Sequence, residues 1–420
     1  MSKPDFARAQ RLLGPVVLVV GLIVGAVGIT AGLQHALSAY LLDVGVFRDA
    51  GQAFIDGENL YVDFDTRSGF RFIYPPFAAL LFAPLTWVGE QTMEVLWTLA
   101  SVAALFGIIA MAVRWLQRSG LGLPGPMDNR YFWAWSIGLT GLATCFEPVR
   151  AHLNYGQINV FLILLVAADV FGFTPRRVRG LGIGIAAGIK ITPAAYALIF
   201  LVRKDFASVA RSAGFFLLTA VIGWILRPEA SRYFWTTEFV NEERGGAPPY
   251  PPNQSLTGLI ARLGVDGDTA LAIMKPGFVI IAALSLWGAW RFERTGRRVH
   301  ALILVILGVC LAGPLAVTHH WIGIVLVFPL VFCTRSQAVR IAALLVIVAN
   351  YLGLHDLYPD QETYAFEPGL WLLGNSQGWT GLILFCVLLI HAWKTEPVSS
   401  VGYAASHEEN KPSPAVEEVR

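Results

Sequence analysis

Long apolar segments recur along the whole chain and limit its fold more than any other feature. Most approach the roughly 20 residues that a helix needs to cross a bilayer. Inside lipid the backbone N–H and C=O groups find no water, so each such segment must pair them internally as a helix. The chain of 420 residues is 55% hydrophobic and 14% charged, whereas soluble proteins carry about 25% charged residues. The sequence therefore predicts an all-α polytopic membrane protein.

We predict twelve transmembrane segments from the apolar pattern. They lie at about 12–33, 77–90, 93–116, 131–146, 157–173, 181–202, 206–226, 274–290, 299–317, 321–334, 337–353 and 376–392. Basic residues precede the first segment, which is too long for a signal-peptide core. The positive-inside rule then places the N-terminus in the cytoplasm and residues 41–73 in the first outer loop.

An even number of spans returns the C-terminus to the cytoplasm. The polar residues 393–420 are expected to form a disordered cytoplasmic tail, and residues 1–392 a single transmembrane domain. Strict alternation places the basic segment 175–180 outside, against the charge rule. We therefore suspect a half-helix between residues 131 and 202, which is allowed where the backbone lines a protein cavity.

Residues 41–76 form the densest polar stretch of the chain, with six carboxylates directly after the first span. Apolar residues recur there at helical spacing, which predicts an amphipathic helix at the outer interface: Val44, Phe47, Ala50, Gly51 and Phe54. Gly57 should end this helix. Tyr74, Pro75 and Pro76 should form a stiff hinge at the start of the second span. A site for chemistry is expected to begin in this stretch.

Asp43 lies at the outer end of the first span, where burial could give its carboxyl a pKa suited to a general base. An N-cap for the following helix is equally supported by its position. Asp49 projects from another side of the helix, and a solvated face explains it better than catalysis.

Lys190 is a lone cation within an apolar segment, and a lipid phosphate would be its natural partner. The alternative is snorkelling of its side chain to the headgroups. His319 and His320 could bind a phosphate or a glycan, although an ordinary interfacial pair is the more frequent situation. Their spacing to other residues does not match a metal site.

Two clusters of amides also lie just before predicted helices. Asn154, Gln157 and Asn159 in NYGQIN could bind a sugar or a phosphate, or could form interhelical hydrogen bonds. In PPYPPNQS, Asn253 is better explained as the cap of the next helix, and Gln254 follows it. The four cysteines show no metal-ligand spacing, and no nucleotide-binding motif is present.

Six motifs in order resemble the family 87 glycosyltransferases with the C-type membrane fold. They are DVGVFRDAGQAFIDGENLY, YPP, NYGQIN, GIAAGIKITP, PPNQSLTGLIAR and THHW, and the resemblance runs from about residue 10 to 392. It implies inverting transfer of mannose from polyprenyl-phosphate mannose to a phosphatidylinositol mannoside, in α-1,2 linkage. It also implies a site on the periplasmic, outer side of the plasma membrane. Phe47 departs from the pattern, which usually has tyrosine there.

The resemblance implies a role for each candidate residue. Asp43 is the catalytic base, and the donor phosphate is bound by Lys190, His319, His320 and Arg48. Which histidine faces the cavity stays open, and we favour His319 slightly. Contacts to the substrates are assigned to Tyr74, Asn154, Gln157, Asn253, Gln254 and Asp49. No metal and no other cofactor is expected, and the protein is expected to be a monomer.

Two alternatives remain at the level of the sequence. A glycolipid transporter or flippase would explain the intramembrane lysine, but it predicts inverted repeats and polar residues spread through the midplane. The same fold could also use another lipid-phosphate sugar, such as arabinose or glucose. The net charge of +2 does not suggest a nucleic-acid partner.

Overall fold

The computed structural model describes residues 3–62, 64–120, 123–126, 128–241, 246–359 and 366–395, with side chains from Arg11 onward. Asp63, parts of two polar loops and the expected tail from residue 396 lie outside this part of the chain. Within it the regular secondary structure is helical, apart from one isolated antiparallel bridge between Asn253 and Val317. The all-α class predicted from the apolar segments is therefore confirmed.

The helices are numbered in chain order over the described residues. They are α1 Lys3–Ser38, α2 Leu42–Asp56, α3 Pro76–Phe82, α4 Glu90–Arg118, α5 Asn129–Thr144, α6 Glu147–Tyr155, α7 Asn159–Phe171, α8 Leu181–Ile189, α9 Leu198–Val202, α10 Phe206–Leu226, α11 Pro228–Tyr233, α12 Leu256–Ala261, α13 Gly267–Glu293, α14 Arg298–Ala312, α15 Val327–Cys333, α16 Gln337–Leu352, α17 Pro368–Gly374 and α18 Ser376–Lys394.

Five of these helices are long and apolar enough to cross a membrane. They are α1, α4, α10, α13 and α18, of which α1 contributes Arg11–Ser38. Six shorter apolar helical segments of 10–17 residues accompany them in the described ranges. The chain is therefore an all-α membrane protein, but its continuous helices do not by themselves reach the expected count of twelve.

Several expected spans are interrupted rather than continuous. Between residues 181 and 202, α8 ends at Ile189, Lys190 is extended with φ −145° and ψ 126°, and a 3₁₀ turn over Thr192–Ala197 leads into α9. Pro193 causes part of this break because it has no N–H for a continuing helix. Lys190 therefore lies at the C-terminal end of a short helix, not deep within a long one as expected.

Another break precedes α15, where a 3₁₀ segment spans Thr318–Leu326. The helix α3 likewise passes into a 3₁₀ segment, Ala83–Trp87. Irregular backbone at membrane depth is tolerated where protein surrounds it or where it lines a cavity. At these breaks, polar side chains lie inside the protein. In a continuous helix the same side chains would point in other directions.

The amphipathic helix α2 forms as predicted and packs on the start of the second apolar segment. Its buried face includes Val44, Phe47 and Ala50, and the Phe47 ring stacks on Phe82 at 4.5 Å between centroids. Gly57 ends the helix with φ 79°, a left-handed conformation that glycine adopts without strain. Arg227 holds that end by donating to the carbonyl oxygens of Ala53 and Phe54 at 3.1 and 2.9 Å.

Glycines allow the backbones of α1 and α5 to come into direct contact. A Cβ atom on Gly21 would overlap the carbonyl of Gly138, and one on Gly141 would overlap the carbonyl of Gly21. Small residues favour such packing in lipid, where van der Waals contact replaces the hydrophobic drive. This contact fixes the first span, and with it the position from which α2 starts.

We predict that Gly21→Ala destabilises the protein because neither backbone can yield without moving its helix. Overpacking of this kind costs about 1–3 kcal/mol. The measurement is thermal unfolding of purified protein in detergent. Gly214→Ala is the matched control, since Gly214 on α10 has open space around its Cβ position. An unchanged melting temperature for Gly21→Ala would contradict the packing.

Candidate active site

Lys190 is the centre of a polar cluster at the break after α8. Its Nζ donates to Asn159 Oδ1 at 3.1 Å and lies 3.1 Å from His320 Nε2. The same ammonium lies 5.6 Å from the centroid of the Tyr74 ring, within the range of a cation–π interaction. An ammonium in apolar surroundings is costly unless it is paired. The three partners come from three separate segments, so the charge holds those segments together.

A cavity of about 60 Å³ opens beside this cluster. Lys190, Asn159 and His320 supply polar groups to its wall. Most of the remaining wall is apolar and is formed by Leu162, Ile163, Pro193, Tyr196, Val309 and Ala316. One cation in a mostly apolar cavity suits an amphiphile with an anionic group.

Asp43 lies in the first turn of α2 and contacts the same cluster. Leu41 is the N-cap of that helix and makes no side-chain capping bond, so the alternative of Asp43 as the N-cap is wrong. The Asp43 carboxyl is hydrogen-bonded by the Gln157 side chain and attracted by Lys190. Burial outweighs both and raises the pKa of Asp43 from 3.8 to about 6. A carboxylate of this pKa is a stronger base than an exposed one and is still ionised at neutral pH.

The NYGQIN segment connects these two charges. Gly156 ends α6 with φ 69°, and the Gln157 amide N–H donates to the His152 carbonyl at 3.0 Å. Trp97 Nε1 donates to the Gln157 carbonyl at 3.2 Å, and Asn159 Nδ2 donates to Gln157 Oε1 at 3.4 Å. Gln157 and Asn159 are buried, whereas Asn154 is exposed. The structure thus separates Asn154 from the amides that contact Asp43 and Lys190.

The two histidines face different surroundings. His320 lines the cavity, whereas the His319 ring packs edge-on against Tyr155 at 5.8 Å between centroids. The slight preference for His319 as the cavity residue is therefore corrected in favour of His320. His152, which the sequence analysis missed, lies behind them with Nε2 3.3 Å from Ser101 Oγ. In the sequence, His152 could have been noticed because it lies three residues before Tyr155, which puts both side chains on one face of α6.

Arg48 and Asp49 belong to a different network. Arg48 donates to the Val88 carbonyl at 3.4 Å and lies 4.0 Å from Glu90. Asp49 accepts from Arg67 Nε at 3.0 Å, and Arg67 also pairs with Glu90. Neither Arg48 nor Asp49 lines the cavity beside Lys190. These ion pairs instead join α2 and its loop to the start of α4.

Asn253 and Gln254 are fully buried and bond to backbone. Asn253 Nδ2 donates to the Pro248 carbonyl at 2.9 Å, and Gln254 Nε2 donates to the Gly374 carbonyl at 3.0 Å. Ser255, not Asn253, is the N-cap of α12, so that expectation was wrong. Asn253 Oδ1 accepts from the Ala316 amide at 3.0 Å, which fixes the segment just before the two histidines.

Arg262 holds the same loops together by hydrogen bonds. It is 1% exposed and donates to Asn375 Oδ1 at 2.8 Å and to the carbonyls of Tyr250 and Asn253 at 2.8 and 2.6 Å. Its guanidinium also lies 5.3 Å from the centroid of the Tyr358 ring. Carbonyl oxygens and a ring thus stabilise this buried charge. Across the described residues, no group of three or more His, Cys, Asp or Glu side chains is placed to hold a metal ion.

The fold and the site define an integral membrane enzyme with a half-buried carboxylate near a mostly apolar cavity that holds one cation. Residues 72–318 match the family model described as Glycosyltransferase family 87. This match covers more than half of the chain, and the chain therefore belongs to glycosyltransferase family 87 and is a glycosyltransferase.

Curated relatives narrow the comparison. The chain is 30% identical over 380 residues to the polyprenol-phosphate-mannose-dependent alpha-(1-2)-phosphatidylinositol mannoside mannosyltransferase of Mycobacterium tuberculosis, covering 86% of this chain and 87% of the relative. It is 30% identical over 398 residues to the corresponding phosphatidylinositol pentamannoside enzyme of Mycolicibacterium smegmatis, covering 92% and 91%. A more distant relative is an alpha-(1->3)-arabinofuranosyltransferase of Corynebacterium glutamicum, 25% identical over 60% of this chain and 63% of the relative. No solved structure matches the chain.

We predict that Asn253→Ala lowers the melting temperature, because its removal leaves buried carbonyl and amide groups unpaired. Each such group costs about 1–3 kcal/mol. Thermal unfolding in detergent measures the effect. Asn154→Ala is the control, since the Asn154 side chain is exposed. Equal melting temperatures for the two variants would show that Asn253 does not hold the loop.

Proposed function

We propose that the protein transfers mannose from polyprenyl-phosphate mannose to a phosphatidylinositol mannoside, in α-1,2 linkage, at the outer face of the plasma membrane. The observation that carries the proposal is the continuous contact from Lys190 through two amides to Asp43. A lipid-linked phosphosugar needs a cation for its phosphate and a base for the acceptor, and these lie side by side. The names of the mannosyltransferase relatives support the sugar and both lipids.

The donor occupies the cavity with its phosphate beside Lys190. The ammonium compensates the charge that develops on the phosphate as the glycosidic bond breaks. The apolar walls contact the first isoprene units of the lipid. Tyr74 packs over the ammonium and holds it at the side of the cavity nearest to α2.

The acceptor reacts by a single displacement with Asp43 as the base. Asp43 removes the proton of a mannose 2-hydroxyl, and that oxygen forms a bond to the anomeric carbon. The bond between the anomeric carbon and the phosphate oxygen breaks, and its electron pair leaves with polyprenyl phosphate. Attack from the opposite side converts a β-linked donor into an α-linked product.

The proposed membrane topology follows the positive-inside rule. Asp43 comes at the end of the first span, and the basic segments 291–298 and 334–340 lie on the cytoplasmic side of twelve crossings. The interrupted segments count as crossings made of two shorter pieces. The substrates then meet the enzyme in the outer leaflet.

A different lipid-phosphate sugar is the second candidate, supported by the arabinofuranosyltransferase relative. The same cation and base would serve an arabinose donor. Purified protein is given polyprenyl-phosphate mannose or polyprenyl-phosphate arabinose with a phosphatidylinositol mannoside. An extended mannoside from the first donor alone is the expected result, and transfer only from the second would overturn the sugar assignment.

We predict that Asp43→Asn lowers turnover by about 10²- to 10⁴-fold, the usual contribution of a general base. Its melting temperature at pH 8 should be unchanged or higher, because burial raises the pKa of Asp43 and the ionised carboxylate therefore weakens folding above about pH 6. Asp56→Asn, at the exposed end of the same helix, is the control for activity. Substantial turnover by Asp43→Asn would remove Asp43 from the mechanism.

We predict that Lys190→Met raises the KM for the lipid-phosphate donor by about 10- to 100-fold, because a hydrogen bond to a charged group contributes about 1.5–3 kcal/mol. Steady-state kinetics with varied donor measures this effect. Lys275→Met, at an exposed position on α13, is the matched control. Unchanged values of both KM and kcat would place the phosphate elsewhere.

A further inference from the structure

Four polar side chains form an unbroken path between the two charges of the site. Lys190 Nζ bonds to Asn159 Oδ1 at 3.1 Å, and Asn159 Nδ2 bonds to Gln157 Oε1 at 3.4 Å. The Gln157 side chain then lies next to the Asp43 carboxyl, where as a hydrogen-bond donor it favours the ionised form. Gln157 and Asn159 are only 4% and 6% exposed, so water competes little for these bonds.

Lys190 and Asp43, at the two ends of the path, fix which group donates and which accepts in each of its hydrogen bonds. An ammonium has only donors, and an ionised carboxylate has only acceptors. Asn159 must therefore turn its oxygen to Lys190, which leaves its NH₂ group for Gln157. Gln157 must in turn offer its oxygen to Asn159 and its NH₂ group to Asp43. Every group in the path is matched only while Lys190 is charged and Asp43 is ionised.

A second contact of Lys190 agrees with this direction. Because the ammonium can only donate, His320 Nε2 must accept from it at 3.1 Å. His320 is also hydrogen-bonded to the backbone of Leu315, which suits an Nδ1–H donor. Neutral His320 thus adds no competing charge, and Lys190 is the cation at the start of the path.

We propose that Gln157 and Asn159 are positioning residues, which form an amide relay that keeps Asp43 ionised and oriented and links its basicity to Lys190. This inference rests on the proposed function, in which Asp43 is the base. It changes the expected role of Gln157 from a substrate contact to a support of the base. Asn159, for which the sequence left a ligand contact and an interhelical hydrogen bond open, becomes a support of the base as well.

The other charged groups near Asp43 are few, so after burial the relay should have the largest effect on its titration. On α6, His152 and Tyr155 face this region, and burial lowers the pKa of His152 to about 3 and keeps it neutral. On α4, Glu94 accepts from the Leu41 amide at 3.1 Å, and Glu90 pairs with Arg67. On α2 itself, Asp49 is held by Arg67 and Arg48 contacts Val88 and Glu90. The segments α3 and Ala83–Trp87 carry no charged side chain.

Two isosteric substitutions reverse or interrupt the path without changing its size. Asn159→Asp still accepts from Lys190 but has no NH₂ group for Gln157, which then turns its oxygen toward Asp43. Gln157→Glu places a second carboxylate against Asp43, and the pair must share a proton. Both changes disfavour the ionised form of Asp43 and raise its pKa.

The test is the pH profile of kcat/KM, measured with polyprenyl-phosphate mannose and a phosphatidylinositol mannoside. Since the base acts when deprotonated, the rate of the unchanged protein should fall as the pH drops through about 6. Each variant should move this acidic limb upward by about one pH unit, with most of the rate recovered at higher pH. Gln117→Glu is the matched control, a buried glutamine about 30 Å along α4 from Trp97, which should leave the limb in place.

The outcomes separate the relay from the proposed function. An unmoved limb in both variants, or a loss of rate that is the same at every pH, overturns the relay. If one variant fails to fold, the other decides the question alone. Failure of Asp43 as the base is recognised independently, because Asp43→Asn would then retain turnover. A relay that fails while Asp43→Asn is inactive leaves the mannosyltransferase proposal intact.

Discussion

The ammonium of Lys190, surrounded by apolar walls, is the interaction on which the rest of the structure depends. A charge in such a place is stable only when partners reach it from several sides. Here an amide from α7, an imidazole from the segment before α15 and an aromatic ring from before α3 supply them. Each comes from a helix start or an interrupted segment. The site therefore exists because those helices are broken where they meet.

Other parts of the molecule hold this meeting point in place. Close glycine contacts fix α1 against α5, and α2 begins directly beyond α1. Arg67 joins α2 to the start of α4 by pairing with Asp49 and Glu90. On the other side, Asn253 and Arg262 fix the loops next to the histidines through backbone carbonyls and amides.

The sequence predicted the helical class, the amphipathic α2 and its end at Gly57, because periodicity and a glycine report local structure directly. It also selected Asp43, Lys190 and Gln157, which the structure brings together. It missed the break at Lys190, since an apolar run with one proline resembles a continuous span. The grouping of Arg48 with Lys190 could not be checked from sequence, because Arg48 turns to Glu90 through contacts 42 residues apart along the chain. Asn253 and Gln254 resembled substrate ligands because side-chain identity does not show which backbone groups lie opposite.

We propose that the donor phosphate lies between Lys190 and the apolar cavity, on the side of the cluster that faces Asp43. A cryo-EM structure of the protein with a short-chain polyprenyl-phosphate mannose analogue tests this claim most directly. We predict density for the phosphate within hydrogen-bonding distance of Lys190 Nζ, with the anomeric carbon turned toward Asp43. A phosphate bound at Arg48 or at the opposite end of the helices, away from Lys190, would contradict it.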